Sequence, residues 1–268
     1  MSLPDLRVSL VQADTIWHDP EGNRALYAGM MAPLAGATDL IVLPETFTSG
    51  FSNDAIANAE DMNGATVAWI REQAASLGAV VTGSVQIRDG DGVHNRLLWA
   101  TPEGGLQHYD KRHLFRMANE HQRYAAGHDR LICDLKGWRV CPLVCYDLRF
   151  PVFIRNRFDA DCAGHFDYDL LLFVANWPSP RRNAWRTLLR ARAMENLCYV
   201  AAVNRVGRDG NGHDYSGDSV LLDFIGEPIT ECGAEPQVVT SVFGATALAA
   251  YRERFPAQRD ADRFQLLD

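Results

Sequence analysis

The chain has 268 residues, 47% of them hydrophobic, so it can bury a sizeable core in one large α/β domain or in two smaller ones. Its formal net charge of −8 and the lack of any lysine- and arginine-rich block argue against a nucleic-acid partner. The six cysteines form no Cys-x-x-Cys pair and no apolar run approaches membrane-spanning length, so we expect a cytoplasmic protein without disulfides, zinc or membrane contact.

Strands and helices alternate along the first half of the chain. Apolar runs and helical spacing predict, in chain order, strand 6–13, helix 21–35, strand 39–45, helix 64–77, strand 79–87 and strand 93–100. Turn residues at 89–92 and 102–105 predict two successive hairpin connections, and the segment that follows runs into a polar loop through Gly127. Consecutive hairpins place antiparallel strands in the sheet, so we expect mixed sheets rather than purely parallel ones.

The second half of the chain shows the same alternation. Its predicted elements are strands 131–135 and 138–145, helix 152–158, loop 159–167, strand 169–178, helix 181–196, strand 199–204, loop 207–217, strands 220–224 and 238–243, and helix 245–255. No linker, low-complexity tract or solenoid repeat interrupts this order. We therefore expect one α/β domain over residues 1–268.

Cys145 ends the strand predicted at 138–145, because a polar segment breaks the apolar run there and Pro151 suits the first position of a helix. A thiol at such a strand-to-helix elbow lies beside the following backbone N–H, and both can face one pocket. In that position a cysteine can act as a nucleophile. The alternative is that Cys145 is one more small buried hydrophobic residue.

Two further reactive side chains, Glu45 and Lys111, also lie at predicted strand ends. Hydrolysis of an amide through a thioester needs a base for the thiol proton, a donor for the oxyanion and a proton for the leaving amine. A carboxylate, an ammonium and a thiol supply these functions without histidine. The alternative for Glu45, considered alone, is an exposed carboxylate after a strand.

Three motifs occur in a fixed order along the chain. They are Leu43-Pro44-Glu45-Thr46-Phe47, Tyr109-Asp110-Lys111-Arg112-His113-Leu114-Phe115 and Val144-Cys145-Tyr146-Asp147-Leu148-Arg149-Phe150-Pro151. In this combination they resemble the nitrilase superfamily of carbon–nitrogen hydrolases. The similarity continues through residues 176–178, 191–196, 204–207 and 217–219, so it covers nearly the whole chain. The resemblance implies an α/β fold, a four-layer αββα sandwich with mixed β-sheets.

The resemblance also implies catalytic roles. Glu45 would be the general base, Lys111 the partner of the oxyanion and the leaving group, and Cys145 the nucleophile. The backbone N–H of Tyr146 would complete the oxyanion hole. A second glutamate of the family corresponds to Glu120, for which a solvated loop carboxylate is the alternative. No cofactor and no metal are expected.

Residues 46–52 and 115–121 are most similar to the omega-amidase branch. This implies hydrolysis of 2-oxoglutaramate or 2-oxosuccinamate to the 2-oxo diacid and ammonia. Such substrates carry a far carboxylate, and Arg149, four residues after Cys145, is predicted to bind it with its planar fork. The alternative for Arg149 is a structural ion pair with Asp147 or with another acidic residue. Trp177, next to the end of a buried strand, is expected to form a pocket wall.

Several alternatives remain open for function and assembly. Other small amides or N-carbamoyl compounds are the alternative substrates within the superfamily. Outside it, the alternatives are a Cys–His hydrolase of the papain type, whose local signature the chain lacks, and a non-catalytic binding module on the same scaffold. The resemblance further implies a homodimer or a higher even oligomer, with the helix around Trp185 as a candidate for the shared face.

Overall fold

The structure is a computed structural model that describes residues 3–90, 92–159 and 165–266. Its α-helices are α1 (Pro20–Met31), α2 (Ala65–Leu77), α3 (Pro151–Ile154), α4 (Arg182–Asn196) and α5 (Ala245–Arg254). Its strands are β1 (Leu6–Gln12), β2 (Leu40–Val42), β3 (Val80–Asp89), β4 (Gly92–Ala100), β5 (Leu106–Asp110), β6 (Cys133–Leu135), β7 (Trp138–Val144), β8 (Phe158–Asp159), β9 (His165–Phe166), β10 (Leu170–Ala175), β11 (Tyr199–Asn204), β12 (Val206–Arg208), β13 (Asp214–Ser216), β14 (Val220–Leu222), β15 (Pro228–Glu231) and β16 (Gln237–Phe243).

Most of these strands belong to two six-stranded sheets. The first has the order β16-β1-β2-β3-β4-β5, in which β1, β2 and β3 run parallel and the other pairings are antiparallel. The second has the order β15-β14-β11-β10-β7-β6, with β7, β10 and β11 parallel and the other pairings antiparallel. The mixed sheets that the hairpin turns predict are therefore confirmed.

The two sheets pack face to face between layers of helices. Along β2, Leu40 and Val42 join the apolar cluster shared with the second sheet, whereas Ile41 joins the cluster that contains α1 and α2. This alternation buries both faces of β2, which is why its sequence is continuously apolar. On the far side of the second sheet, Leu189 and Ala193 of α4 complete its cover. The four-layer αββα sandwich is confirmed.

The ends of β2, β7 and β10 meet at one edge of the sandwich. Glu45 follows β2 and accepts a hydrogen bond from the backbone N–H of Asn176, which follows β10. Cys145 follows β7, and its Sγ donates to the backbone carbonyl of Asn176 at 3.9 Å. β5 ends in the same region and is followed directly by Lys111. The fold thus collects reactive side chains from strand ends of both sheets.

The helix predicted at 152–158 is wrong in its second half, because α3 ends at Ile154 and β8 pairs with β9. Asn156 explains the early end. Its backbone N–H donates to the Asn196 side chain and its Nδ2 donates to the carbonyl of Tyr168, which pulls the chain off the helical path. The predicted loop 159–167 accordingly contains β9, and its centre, with Cys162, lies outside the described residues.

Two other predictions need correction. The loop predicted at 207–217 holds a small hairpin, β12 and β13, closed by a turn in which the Asp209 carboxylate accepts from two backbone N–H groups. β15 was not predicted, since it has only four residues and begins with a proline. The first helix ends at Met31 rather than at 35, because Pro33 favours the short 3₁₀ turn that follows.

Trp185 does not lie on a free face of α4. Its side chain is buried, its Nε1 donates to the carbonyl of Asp218, and its ring packs against Trp177 with the centroids 5.5 Å apart. The side of α4 that carries Trp185 therefore packs inside this chain and cannot form the shared face of an oligomer.

Candidate active site

Four reactive side chains form a buried cluster at the shared strand edge. Glu45, Lys111 and Glu120 are each at most 1% exposed, and Cys145 is 8% exposed. The Lys111 Nζ lies 2.9 Å from Glu45 Oε1 and 2.9 and 3.0 Å from the two carboxylate oxygens of Glu120. One ammonium is thus shared by two carboxylates beside a thiol. The solvated position considered for Glu120, and the exposed one for Glu45, do not occur.

The Glu45 carboxylate is held from several directions. Its Oε1 accepts from the side-chain amide of Asn95 at 2.8 Å as well as from Lys111, and its Oε2 accepts from the backbone N–H of Asn176 at 2.8 Å. The Asn176 side-chain amide donates back to the Glu45 carbonyl at 2.7 Å. These contacts fix the orientation of the carboxylate, so that little side-chain entropy is left to lose when it exchanges a proton.

Cys145 occupies a strained turn after β7. Its φ is 45°, a left-handed value that non-glycine residues rarely adopt, and such strain costs about 1–3 kcal/mol. The Asp147 carboxylate stabilises the turn by accepting from the backbone N–H of Val144 at 3.0 Å and from the Tyr109 hydroxyl at 2.8 Å. It also accepts from the backbone N–H of His113 at 3.0 Å. The buried Asp147 therefore joins β5, β7 and the lysine loop behind the thiol.

The protonation of the cluster follows from burial and from its own charges. Burial, the negative charge of Glu45 and a hydrogen bond to that carboxylate raise the pKa of the Cys145 thiol well above its ordinary value, against the opposing effect of Lys111. Burial alone would lower the pKa of Lys111, but Glu120 and Glu45 together raise it well above its usual range. Burial raises the pKa of Glu120, against the attraction of Lys111. At neutral pH the cluster therefore holds an ammonium and an uncharged thiol, which needs a base.

A cavity of about 190 Å³ opens above this cluster. Glu45, Lys111 and Cys145 line its floor, and its walls include the side chains of Tyr146 and Trp177. Glu120 lies behind Lys111 and does not line the cavity. The cavity has room for a small molecule, and five aromatic residues are among those that line it: Phe51, Phe115, Tyr146, Trp177 and Tyr215.

Arg149 lies in the wall of the same cavity, with its guanidinium carbon 5.0 Å from the centre of the Trp177 ring. The alternative ion pair with Asp147 is not formed, because Asp147 is occupied by Tyr109 and His113. Among the described residues no carboxylate lies within ion-pair distance of Arg149. The sequence prediction that brings Arg149 and Trp177 to one cavity with Cys145 agrees with this geometry.

Sequence reasoning missed several residues of the site. Asn95 and the side-chain contacts of Asn176 were not predicted, although a polar residue in an otherwise apolar strand was a usable signal for Asn95. Arg181 was taken only as the first residue of a helix, but it lines the cavity with its guanidinium carbon 5.1 Å from the centre of the Phe115 ring. Nothing in the local sequence distinguishes Arg181 from the surface arginines that follow it.

In the part of the chain that the structure describes, no group of three or more histidine, cysteine, aspartate or glutamate side chains is arranged to hold a metal ion. No helix in the same residues combines the length and apolarity needed to cross a bilayer.

Comparison with known proteins gives concordant results. A family model described as carbon–nitrogen hydrolase matches residues 7–251. Among curated proteins, an omega-amidase, YafV, from Yersinia enterocolitica is 45% identical over 98% of this chain and 99% of its own length. A 2-oxoglutaramate amidase from Bacillus subtilis is 31% identical over 94% of this chain and 96% of its own.

A solved structure gives the same result for the fold. It is the crystal structure of a carbon–nitrogen hydrolase superfamily protein from Xanthomonas campestris, with an arsenic adduct in its active site. Its sequence is 65% identical to this chain, and its fold superposes with a TM-score of 0.97 over 98% of this chain and all of that one.

Proposed function

Because this chain belongs to the carbon–nitrogen hydrolase family, the nitrilase superfamily, we propose that it hydrolyses the terminal amide of short 2-oxo acid monoamides, such as 2-oxoglutaramate and 2-oxosuccinamate. The products are the 2-oxo diacid and ammonia. The chain is an amidase of the omega-amidase branch, and amide hydrolysis is its activity. The observation that supports the proposal most strongly is the Lys111 ammonium held between two buried carboxylates beside the Cys145 thiol.

The acylation step assigns one task to each reactive group. Glu45 takes the proton of the Cys145 thiol while the sulfur attacks the amide carbon. The oxygen of the tetrahedral intermediate gains a negative charge, which Lys111 and the backbone N–H of Tyr146 stabilise. Glu45 then returns the proton to the nitrogen, the C–N bond breaks and ammonia leaves. A thioester between substrate and Cys145 remains.

In deacylation, water is the nucleophile and the Cys145 sulfur is the leaving group. Glu45 removes a proton from a water molecule as that water attacks the thioester carbon. The same oxyanion donors stabilise the second intermediate, which collapses as the C–S bond breaks and the sulfur takes the proton back from Glu45. The acid product leaves and the neutral thiol is restored. The raised pKa of the Cys145 thiol fits this cycle, because a neutral thiol at rest requires Glu45 to act as a base.

Glu120 acts through Lys111. Its two oxygens accept from Nζ, and one of them also accepts from the backbone N–H of Phe115, which fixes the carboxylate in the loop after β5. When Glu45 becomes protonated in the cycle it no longer neutralises Lys111. Glu120 then remains as the counter-charge, so that the ammonium stays protonated and in place.

The far carboxylate of the substrate is assigned to Arg149. Burying a carboxylate without a cation costs several kcal/mol. Arg149 lines the cavity, and within the described residues it has no carboxylate of its own, so its fork is free to accept one. The Trp177 ring beneath the guanidinium holds it in place by a cation–π contact.

Ammonia release across a panel of short monoamides tests this proposal. We expect the largest kcat/KM for amides that end in a 2-oxo acid, and the smallest for neutral amides of equal length. The alternative is another amidase of the superfamily, acting on other small amides or on N-carbamoyl compounds. Faster turnover of neutral amides or of N-carbamoyl compounds than of 2-oxosuccinamate would establish that alternative.

The Cys–His alternative is tested by titrating the thiol. A cysteine paired with histidine as in papain is a thiolate near pH 3–4, that is, about five units below a free thiol. The charges with the largest effect on the pKa of the Cys145 thiol are those of Glu45, Lys111 and Glu120, whereas His213 lines the cavity without being among them. We expect the ultraviolet absorbance of the Cys145 thiolate, taken as wild type minus Cys145→Ala, to appear only in alkaline solution. Thiolate absorbance in mildly acidic solution would favour the Cys–His mechanism.

Assembly, location and domain organisation remain proposals. We propose a homodimer or a higher even oligomer, in a cytoplasmic protein whose residues 1–268 act as one domain. The shared face excludes Trp185, which is buried within the chain. Light scattering that shows a stable monomer at micromolar concentration would remove the oligomer proposal.

A further inference from the structure

Arg181 differs from the arginine next to it. The guanidinium of Arg182 forms two hydrogen bonds of 2.7 Å to the Asp218 carboxylate, a fork-to-fork ion pair. Arg181 instead lines the cavity, and its guanidinium carbon lies 5.1 Å from the centre of the Phe115 ring. No carboxylate of the described residues lies within ion-pair distance of it. A half-buried guanidinium beside an aromatic ring, without a counter-ion, is a suitable donor for an anionic ligand.

Arg149 and Arg181 are linked through one aromatic side chain. The Trp177 ring lies beneath the Arg149 guanidinium, and the Trp177 indole N–H donates to the backbone carbonyl of Arg181 at 2.8 Å. The backbone N–H of Trp177 is in turn bonded to the Asn204 side chain. Trp177 thereby holds the guanidinium of Arg149 and the backbone of Arg181, two residues that line the cavity above Cys145.

One carboxylate of the cavity wall belongs to Asp209, but it is already occupied. Its oxygens accept from the Tyr215 hydroxyl at 2.9 Å and from the backbone N–H groups of Asn211 and His213, both at 2.9 Å. These bonds hold the hairpin turn between β12 and β13. Asp209 therefore does not neutralise the two arginines, and the described part of the cavity keeps two cations for a ligand.

A 2-oxo acid matches two guanidinium forks better than a simple carboxylate does. Its carboxylate presents one planar edge of two oxygens, and the oxo group with the neighbouring carboxylate oxygen presents a second edge in the same plane. We propose that Arg149 and Arg181 bind these two edges together. Arg181 is then the residue through which the enzyme distinguishes a 2-oxo acid amide from the same amide without the oxo group, an inference that rests on the proposed function.

Three amides of equal length separate the contributions. Butanamide has neither far group, succinamate adds the carboxylate, and 2-oxosuccinamate adds the oxo group. We expect Arg181→Gln to lower the ratio of kcat/KM for 2-oxosuccinamate over succinamate by roughly ten- to a hundredfold, the loss that follows when a charge-assisted hydrogen-bond pair is removed. Arg181→Lys keeps the charge without the fork, so its turnover of succinamate should stay near the wild-type value while the preference for the 2-oxo acid amide remains low.

The matched control is Arg116→Gln. Arg116 lies in the same loop as Phe115 but is exposed and does not line the cavity. In Arg116→Gln, the kcat/KM ratio of 2-oxosuccinamate over succinamate and that of succinamate over butanamide should therefore stay at their wild-type values. If Arg181→Gln lowers kcat/KM for succinamate and for 2-oxosuccinamate by the same factor, Arg181 contributes only its positive charge, and the proposal is overturned. An unchanged oxo preference in Arg181→Gln would overturn it as well.

Equilibrium binding gives a readout that is independent of turnover. In the Cys145→Ala background, calorimetry should show 2-oxoglutarate binding more tightly than glutarate, and Arg181→Gln should remove most of that difference. If the wild type hydrolyses butanamide as fast as succinamate, the proposed function fails, whereas the calorimetric preference still tests the two arginines. If 2-oxoglutarate and glutarate bind equally in Cys145→Ala, the arginine proposal fails, whatever the amide preference.

Discussion

The floor and the wall of the cavity differ in whether their charged side chains are paired with one another. On the floor, Glu45 and Lys111 are fully buried, and short hydrogen bonds join Lys111 to Glu45 and to the buried Glu120 behind it. In the wall, Arg149 and Arg181 are half-buried and rest on aromatic rings. A satisfied cluster is preorganised for a fixed reaction, whereas an unpaired cation is available to a ligand. We infer that the residues of the floor catalyse the hydrolysis of short amides in general, and that the residues of the wall determine which of these amides is preferred.

The difference also predicts how each region responds to substitution. A change on the floor leaves a buried charge without its partner and affects catalysis of every substrate. A change in the wall leaves the floor intact and affects only substrates that carry the group it binds. The following predictions run from the largest expected effect to the smallest.

Cys145→Ala should abolish ammonia release from all amides, because no thioester can form without the sulfur. The fold should survive, since the change removes one buried atom and relieves no charge. Cys141→Ala, in the buried strand β7, is the matched control and should keep turnover. Activity that persists in Cys145→Ala but disappears in Cys141→Ala or Cys133→Ala would show that Cys145 is not the nucleophile.

Lys111→Met should lower kcat by about 10²–10³-fold, the effect of losing one oxyanion donor, while the side-chain stem keeps its packing. An unchanged kcat with only a raised KM would make Lys111 a ground-state binding residue.

The same variant should be less stable than the wild type, and the deficit should depend on pH. Without the ammonium, the attraction that opposes burial is lost and the pKa of Glu120 rises further above its unfolded value. The folded variant then binds a proton that the unfolded chain releases, so its stability falls as the pH increases. Thermal unfolding should show a smaller deficit at about pH 5 than at about pH 8. A deficit that grows toward low pH would contradict this electrostatic account.

Glu120→Gln should have a smaller effect than Lys111→Met, since the amide oxygen can still accept from Lys111 while the counter-charge is lost. We expect kcat to fall roughly ten- to a hundredfold, the range for a lost charge-assisted hydrogen bond. Glu72→Gln on the exposed face of α2 is the control and should keep wild-type kcat. Equal kcat in Glu120→Gln and wild type would leave Glu120 with a purely structural role.

The sequence was sufficient to locate the floor but not the wall. Glu45 and Cys145 each end an apolar run that is buried on both faces, and such runs are visible without a structure. The three motifs in their fixed order added Lys111, and the resemblance to the family, which has a second glutamate after that lysine, added Glu120. Arg181 belongs to the site only because α4 begins where β10 ends beside Phe115, a relation set by tertiary packing.

The missed elements have equally specific causes. β8 and β9 form because Asn156 and Asn196 bond across the end of α4, an interaction between residues far apart in sequence. The hairpin of β12 and β13 depends on the hydrogen bonds of the Asp209 carboxylate, whereas composition alone predicted a glycine- and aspartate-rich loop. Asn95 reaches Glu45 from two strands away, so its role depends on the pairing of β2, β3 and β4.

The division between floor and wall is tested most directly by kcat/KM for succinamate and butanamide in the wild type and in Arg149→Lys. The account predicts that the wild type prefers succinamate, that Arg149→Lys loses much of this preference because a point charge does not reproduce the fork, and that butanamide turnover stays unchanged. Equal kcat/KM values for the two amides in the wild type, or a parallel loss for both in Arg149→Lys, would contradict it.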